Sequence, residues 1–510
     1  MTNDQPGLLA YQDYPDEPVI IENLPVAFMR HGCFVPLSLT DGKLTLCMAD
    51  PDDFQTLEAI RITFQLDVSA VPGRAEDIQD AIERLYGAGT QSIEHIIEEA
   101  SRDLLEVSAG ADADVDQLRD LASEAPIIRL VNRLILSAVD VNASDIHFEP
   151  FETVFKVRYR IDGVLNEVES PPKRFQAAII SRIKIMAKLD IAERRLPQDG
   201  RIKLKIADKE IDFRVSTIPT LYGESLVMRI LDRGNLILEL EQLGFPAHIY
   251  DAYERLARQP YGMILVTGPT GSGKTSTLYT TLSKINSPEK KIMTLEDPVE
   301  YQLHGVNQIQ VNTKIGMTFA SGLRSIVRQD PDIILVGEIR DRETAEIAIQ
   351  SALTGHLLFS TLHTNDAPGA VTRLLDMGVA HFLLSSTLLG VLAQRLVRVN
   401  CPECITAYRP EDKHLLAMGI DPDEMDDPVF YRGAGCELCR HTGYKGRQAI
   451  FEYLPISTAI RKLIHGKATA DQIRAQAMAD GMLTLRQDGW LKVRAGITTI
   501  PEVLRVTLET

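Results

Sequence analysis

Residues 268–275 read Gly268-Pro269-Thr270-Gly271-Ser272-Gly273-Lys274-Thr275. Ahead of them lies Met263-Ile-Leu-Val-Thr267, an apolar run with the character of a buried parallel strand. Behind them lies Ser276-Thr-Leu-Tyr-Thr-Thr-Leu282, a helix candidate. A G-x-x-x-x-G-K-[ST] match signifies phosphate binding only in this order of strand, loop and helix. Gly268, Gly271 and Gly273 let backbone N–H groups curl inward around phosphates, with the helix N-terminus behind them. Pro269, Thr270 and Ser272 complete the cradle. Lys274 has the reach for β- and γ-phosphate oxygens, and the Thr275 hydroxyl suits Mg²⁺. The expected ligand is ATP with Mg²⁺.

Breaking a γ-phosphate bond also needs a group that orients water and charge that stabilises the transition state. Later strand-like runs at 291–295, 333–336 and 357–361 each end at polar residues, as expected where strand ends line a ligand crevice. Glu296-Asp-Pro-Val-Glu300 offers three carboxylates, and Val336-Gly337-Glu338 one more. Glu300 is assigned as the water-activating base and Glu338 as the carboxylate on the Mg²⁺ side; the two roles are exchangeable at this level. In Gly355-His356-Leu-Leu-Phe-Ser-Thr-Leu-His363, one histidine stands on either side of a strand. His363, at the carboxyl end, is the expected sensor of the γ-phosphate. Arg324, Arg328 and Arg340 fall near these acids in sequence, as phosphate contacts from a neighbouring subunit or as structural ion pairs.

The chain has 510 residues and a net charge of −17. Its length suggests about three domains. The acidic balance argues against nonspecific nucleic-acid binding and against direct docking on anionic lipid. No signal peptide or membrane span is legible; the best apolar stretch, 382–393, is short and interrupted by hydroxyls, and reads as a buried helix. A cytoplasmic place is expected, with any membrane association made through a partner. In a reducing compartment, Cys401-Pro-Glu-Cys404 and Cys436-Glu-Leu-Cys439 read as a four-thiolate site for structural Zn²⁺. The gap between the pairs exceeds the usual spacing of about 15–20 residues, which a looped-out insertion over 407–432 explains. Cys33 and Cys47 lie in apolar runs and read as core residues.

In order, the chain reads as a flexible acidic start (1–19), a small α/β domain (20–88), a mobile linker (89–124) and a second small α/β domain (125–240). An α/β nucleotide-binding core (241–400), a tetracysteine module (401–445) and a helical end (446–510) follow. In the second domain, period-two alternation puts Lys156, Arg158, Arg160, Arg201, Lys203, Lys205, Asp212 and Arg214 opposite the apolar face. Such a face is either solvated or placed to meet an anion held by a neighbouring domain or subunit.

The ordered set of Ser144-Asp-Ile-His-Phe-Glu-Pro150, the phosphate loop, Glu296–Glu300, Val336-Gly-Glu338, the two-histidine strand and the paired cysteines resembles the secretion ATPase family of type II secretion and type IV pilus systems. The resemblance covers roughly residues 20–510. Length and N-terminal module are most similar to the general secretion pathway protein E branch, with the pilus extension ATPases next. It implies a RecA-like P-loop NTPase domain preceded by two smaller α/β domains, with a C-terminal zinc-binding insertion and helical end. It implies a homo-hexameric ATPase at the cytoplasmic face of the inner membrane that drives pseudopilus assembly and protein export. Residues 20–88 would dock on the cytoplasmic domain of an inner-membrane secretion platform protein. Arg201 and Arg214 would be arginines that approach the nucleotide.

Overall fold

In the first part of the chain, residues alternate between apolar and charged at every second position, and this alternation forms sheets with one covered face. The computed structural model describes residues 14–15, 19, 21, 24, 26–40, 42–64, 66–86, 115–168, 170–206, 209–232, 239–421 and 429–507. These divide into two compact units, with the boundary after Asp232. No helix among the described residues is long and apolar enough to cross a membrane.

The first unit opens with β1 (Phe34–Thr40), β2 (Lys43–Met48) and β3 (Asp67–Pro72). β1 and β2 form the expected antiparallel hairpin, with Thr40 opposite Lys43; β3 joins β2 in parallel. Helices Phe54–Phe64 and Ala75–Tyr86 supply Ile60, Ile78 and Ile82 to a core shared with Phe34, Val35 and Leu46. Most of the stretch 1–19 and much of the stretch read as a linker lie outside the described residues. From Val115 the expected linker is helical (Val115–Ser123).

A six-stranded antiparallel sheet follows, built from β4 (Asp145–Pro150), β5 (Phe155–Ile161), β6 (Val164–Glu167), β7 (Gln198–Ile206), β8 (Lys209–Thr220) and β9 (Gly223–Asp232). The strand order is β6-β5-β4-β9-β8-β7. Helices Ala125–Asp140 and Gln176–Met186 contribute Leu130, Leu134, Ile179 and Ile183 to one core with Phe148, Val157, Phe213 and Met228. The charged residues of these strands therefore take the opposite face. Arg201 stands opposite Arg214, Arg214 opposite Arg229, and Arg229 opposite Asp145, so one row of the sheet is almost wholly basic. Like charges directly opposite oppose pairing. Asp145, only 5% exposed, offsets this by accepting from Arg229 Nε at 2.9 Å, with Arg160 Nε at 3.6 Å. Arg158 pairs bidentately with Glu149, and Lys156 with Glu167 at 2.9 Å.

The second unit is built on β10 (Gly262–Thr267), β11 (Ile292–Glu296), β12 (Asn307–Gln310), β13 (Ile333–Val336), β14 (Leu357–Leu362) and β15 (Leu388–Asn400), beyond which come β16 (Ile405–Tyr408), β17 (Phe430–Gly433) and β18 (Tyr444–Pro455). The seven-stranded sheet runs β12-β11-β13-β14-β10-β15-β18. All neighbours are parallel except the last, because β18 returns antiparallel along β15. Ile264 and Val266 face a core with Leu278, Tyr279 and Leu282 of helix Lys274–Ile285. Met263 and Leu265 face the other way, toward a core that includes Leu323, Ile349, Val371 and Ile460. Burial on both faces accounts for the unbroken apolar runs in the sequence.

Two sequence expectations are corrected here. The stretch 382–393 is not one buried helix: the helix ends at Thr387 and β15 begins at Leu388. A continuous apolar run suits either element, and the open edge of β10 takes this one as strand. Residues 446–455, assigned above to the helical end, belong to β18 and complete the sheet. The helices Thr458–His465, Ala470–Ala479, Leu485–Arg494 and Ile500–Thr507 follow it.

Candidate nucleotide site and cysteine cluster

Strands β10, β14, β13 and β11 are consecutive neighbours, and their carboxyl ends carry the predicted chemistry. β10 delivers the phosphate loop, β14 His363, β13 Gly337-Glu338, and β11 the 296–300 segment. Gly273 adopts φ +88° at the N-cap of helix Lys274–Ile285, and no side chain caps that end. Its amides stay available to a ligand anion. Gly268 is buried, whereas Pro269, Thr270, Gly271 and Thr275 are exposed. Thr275 can thus present its hydroxyl to whatever occupies the loop.

Lys274 Nζ donates to the carbonyls of Gly268 (2.8 Å) and Pro269 (3.0 Å), curling back over the loop. Burial pushes its ammonium down to about 8; Glu338 opposes that and Arg395 adds to it. Glu338 is held on both sides. His363 Nε2 lies 3.1 Å from Oε2, and the Arg340 guanidinium pairs with Oε1. Gly337 has little freedom to carry a side chain, since an added Cβ would lie 3.2 Å from the Leu295 carbonyl. This close approach of β13 to β11 is why the place where many nucleotide sites carry Asp is glycine here, with the acid displaced to Glu338.

The acids of the 296–300 segment separate. Glu296, 4% exposed, accepts from Thr294 Oγ1 (2.5 Å), Gln308 Nε2 (3.3 Å) and the Tyr279 hydroxyl. Burial raises its carboxyl, and those three donors pull the other way. It is thus removed from the candidates for metal or water. Asp297 is exposed and Glu300 half-buried, with the Glu300 charge felt by Glu296 and Tyr301. His356, at the far end of β14, bonds Ser351 O at 2.8 Å and is structural. Arg324 pairs with Glu343 at 2.6 Å, and Arg328 donates to the Arg324 carbonyl. Arg201 and Arg214 lie in the first unit, where Arg201 is exposed and Arg214 half-buried.

Several residues that support the site carry no sequence signal. Thr267 Oγ1 accepts from Thr364 N at 2.9 Å, joining the phosphate-loop strand to the segment after His363. Arg395, from β15, donates to Asn365 O at 3.0 Å. Asp366 caps the next helix by accepting from Gly369 N and is paired with Arg474 at 2.5 Å. No local motif marks these residues, because each partner lies on a different element.

The four cysteines meet. Their sulfurs all lie within 4.8 Å of one another. Cys401–Cys436 and Cys404–Cys439 are 3.8 Å apart and Cys436–Cys439 3.7 Å, so all four are free thiols. Four sulfurs about 2.3 Å from a tetrahedral ion stand about 3.8 Å from one another. Backbone N–H groups of Gly435, Cys436 and Gly443 point at Cys404 and Cys439 sulfurs at 3.2–3.3 Å. The donor set is therefore compatible with zinc.

A family model described as type II/IV secretion system protein matches residues 120–505, and an MshEN domain model matches residues 7–92. The type II secretion system protein E of Xanthomonas campestris is 50% identical over 96% of this chain and 85% of its own. The type IV pilus assembly ATPase PilB of Myxococcus xanthus is 45% identical over 97% of this chain and 87% of its own. Among solved structures, the pilus retraction motor PilT with bound ADP is 26% identical, covers 73% of this chain and 95% of its own, and gives a TM-score of 0.50. The chain belongs to the type II/IV secretion system protein family and is one of its ATPases.

Proposed function

We propose that this chain hydrolyses ATP as a homo-hexameric motor on the cytoplasmic face of the inner membrane, driving pseudopilus assembly and protein export in type II secretion. The observation that supports this reading is that Lys274, Glu338, His363 and Glu300 follow four neighbouring strands of one sheet, with His363 against Glu338. On nucleotide entry, Lys274 exchanges two neutral carbonyl partners for charged phosphate oxygens, a stronger bond. The backbone N–H groups of residues 270–275 and the helix N-terminus hold the remaining phosphate charge. Thr275 and Glu338, hard oxygen donors, would hold Mg²⁺, which offsets phosphate charge when bound. Glu300 orients the attacking water and takes its proton. His363 reads the γ-phosphate from the end of β14, while Glu338 keeps the imidazole in place. Arg201 and Arg214 add positive charge toward the nucleotide.

Cys401, Cys404, Cys436 and Cys439 would hold a structural Zn²⁺, since four thiolates leave no position for water. The working division of the chain follows the sequence with one change: residues 20–88 dock on the cytoplasmic domain of an inner-membrane platform protein, 125–240 and 241–400 form the motor together with β18, and the tetracysteine module and the helices after β18 complete the chain. No nucleic-acid partner is expected for a chain of net charge −17. A second reading, extension of a type IV pilus, draws support from the 45% identity to the Myxococcus protein.

The test is ATP turnover by assembled unaltered and Glu338→Gln chains. Equal silence of both removes the enzymatic reading. Restoration of secretion rather than piliation in strains lacking each motor separates the two biological roles.

A further inference from the structure

We infer that Gln394 is a positioning residue for the phosphate loop, one buried amide that fixes the loop's back and the first turn of its helix at once. The inference rests on nucleotide binding at residues 268–275. β15 runs parallel to β10 with Thr267 opposite Ala393, which sets Gln394 level with the start of the loop. Gln394 is 1% exposed. Its Nε2 donates to the Ser272 carbonyl at 2.7 Å, and its Oε1 accepts from Thr277 Oγ1 at 2.9 Å. Its own carbonyl lies 2.6 Å from where a Cβ on Gly268 would sit, and its Nε2 3.1 Å from a Cβ on Gly273.

The loop is thus backed by β15, where Arg395 and Leu396 also approach its glycines and Gln394 supplies the hydrogen bonds, leaving its amide-bearing front for phosphate. The chemistry needs one donor and one acceptor on the same rigid plane, at the end of a stem long enough to span from β15 to the helix. Glutamine meets that requirement; an apolar residue of equal volume fills the space and satisfies neither group. A buried carbonyl or hydroxyl left without its partner relaxes toward another one. Here that movement spreads the amides whose preset geometry grips the nucleotide. A cradle that must be rebuilt on each binding event loses affinity. The lost grip falls on both ATP and ADP, because both place a phosphate in the loop. Gln394 touches none of the groups assigned above to the water or the γ-phosphate, so the effect belongs to binding more than to turnover.

The experiment uses the full chain, with direct ATP and ADP binding and steady-state hydrolysis. Failure of the unaltered chain to bind ATP sinks the nucleotide reading itself, separately from this one. Gln394→Met preserves volume and should weaken ATP and ADP binding about 10- to 30-fold, with KM following and kcat changing far less. Thr277→Val should give part of the loss, and the double variant should be no worse than Gln394→Met alone. Gln394→Met binding ATP within about twofold of the unaltered chain, or strictly additive losses in the cycle, overturns the inference. Should Gln394→Met fail to fold, Thr277→Ser decides: recovery of affinity relative to Thr277→Val supports the positioning role, and no recovery rejects it.

Discussion

The imidazole of His363 stands 3.1 Å from one carboxylate oxygen of Glu338, while Arg340 closes on the other. The acid is fixed and its partners are not: the Glu338 side chain is 13% exposed, against 48% for His363 and 66% for Arg340. Glu338→Gln keeps the shape but removes the charge, and should lower kcat about 100-fold or more while ATP binding stays within a few-fold. His363→Ala should cost about 10- to 100-fold in kcat. Turnover and direct binding measured side by side check both; an unchanged kcat for Glu338→Gln removes it from the chemistry.

Lys274 gives the site a pH dependence of definite sign. Burial, aided by Arg395, brings its ammonium from 10.5 to about 8, against the pull of Glu338. Above about pH 8 the ligand-free folded chain carries Lys274 neutral, whereas the unfolded chain still binds that proton. Ligand-free stability should therefore rise between about pH 8 and 10.5 relative to a Lys274→Met chain. Phosphate favours the ammonium, so ATP binding should take up a proton in the same window, and affinity should fall as pH rises through it. Titration calorimetry at about pH 9 in two buffers of different ionisation heat reads that proton directly. Identical observed heats in the two buffers would reject the shift.

The parts legible in the sequence are those whose meaning is local. Gly268–Thr275, the order of acids after later strands, and two C-x-x-C turns each carry their geometry within a few residues. The rest depends on partners distant in the chain. Glu296 and Glu300 are indistinguishable as letters; Tyr279, Thr294 and Gln308 close around the first alone. The run 382–393 is apolar enough for a helix or a strand, and only the free edge of β10 decides where one becomes the other. The alternation alone puts Arg158 and Arg160 on the charged face, but the acids they pair with, Glu149 and Asp145, come from the neighbouring strand. Gln394 sits beside Arg395 within the otherwise apolar run 388–397 of β15 and makes no motif.

Glu296 offers a contrast to Glu338. It lies in the same crevice but spends its oxygens on Thr294, Tyr279 and Gln308. Glu296→Ala should leave those buried donors unmet and destabilise the second unit by about 2–4 kcal/mol, by loss of a buried hydrogen-bond network. Turnover per folded molecule should stay within about threefold at a temperature well below the transition. Thermal unfolding and active-site-normalised hydrolysis are the two readouts. A large loss of kcat without loss of stability would place Glu296 in the chemistry instead.

The cysteine cluster makes a prediction about composition as well as stability. Sulfur separations of 3.7–3.8 Å match the edges of a tetrahedron around one ion and exceed a disulfide's bond length. Three backbone N–H groups already face the sulfurs, the arrangement that steadies thiolates around a metal. Metal analysis of the purified chain should therefore find about one zinc per chain, and Cys404→Ser or Cys436→Ser should bind it far more weakly. Cys401 follows β15 directly, and its N–H bonds the Gly443 carbonyl at 2.9 Å just ahead of β18, so the ion would clamp the far ends of two paired strands. Removing it should destabilise the second unit by about 3 kcal/mol or more, read as a lower thermal transition, and adding zinc back should restore it. Nucleotide affinity should change little, because the phosphate loop lies level with Gln394 in the middle of β15, whereas the cysteines begin beyond its end at Asn400. A chain that is metal-free as purified, and that neither binds added zinc nor gains stability from it, would leave the four thiols without the role their geometry supports.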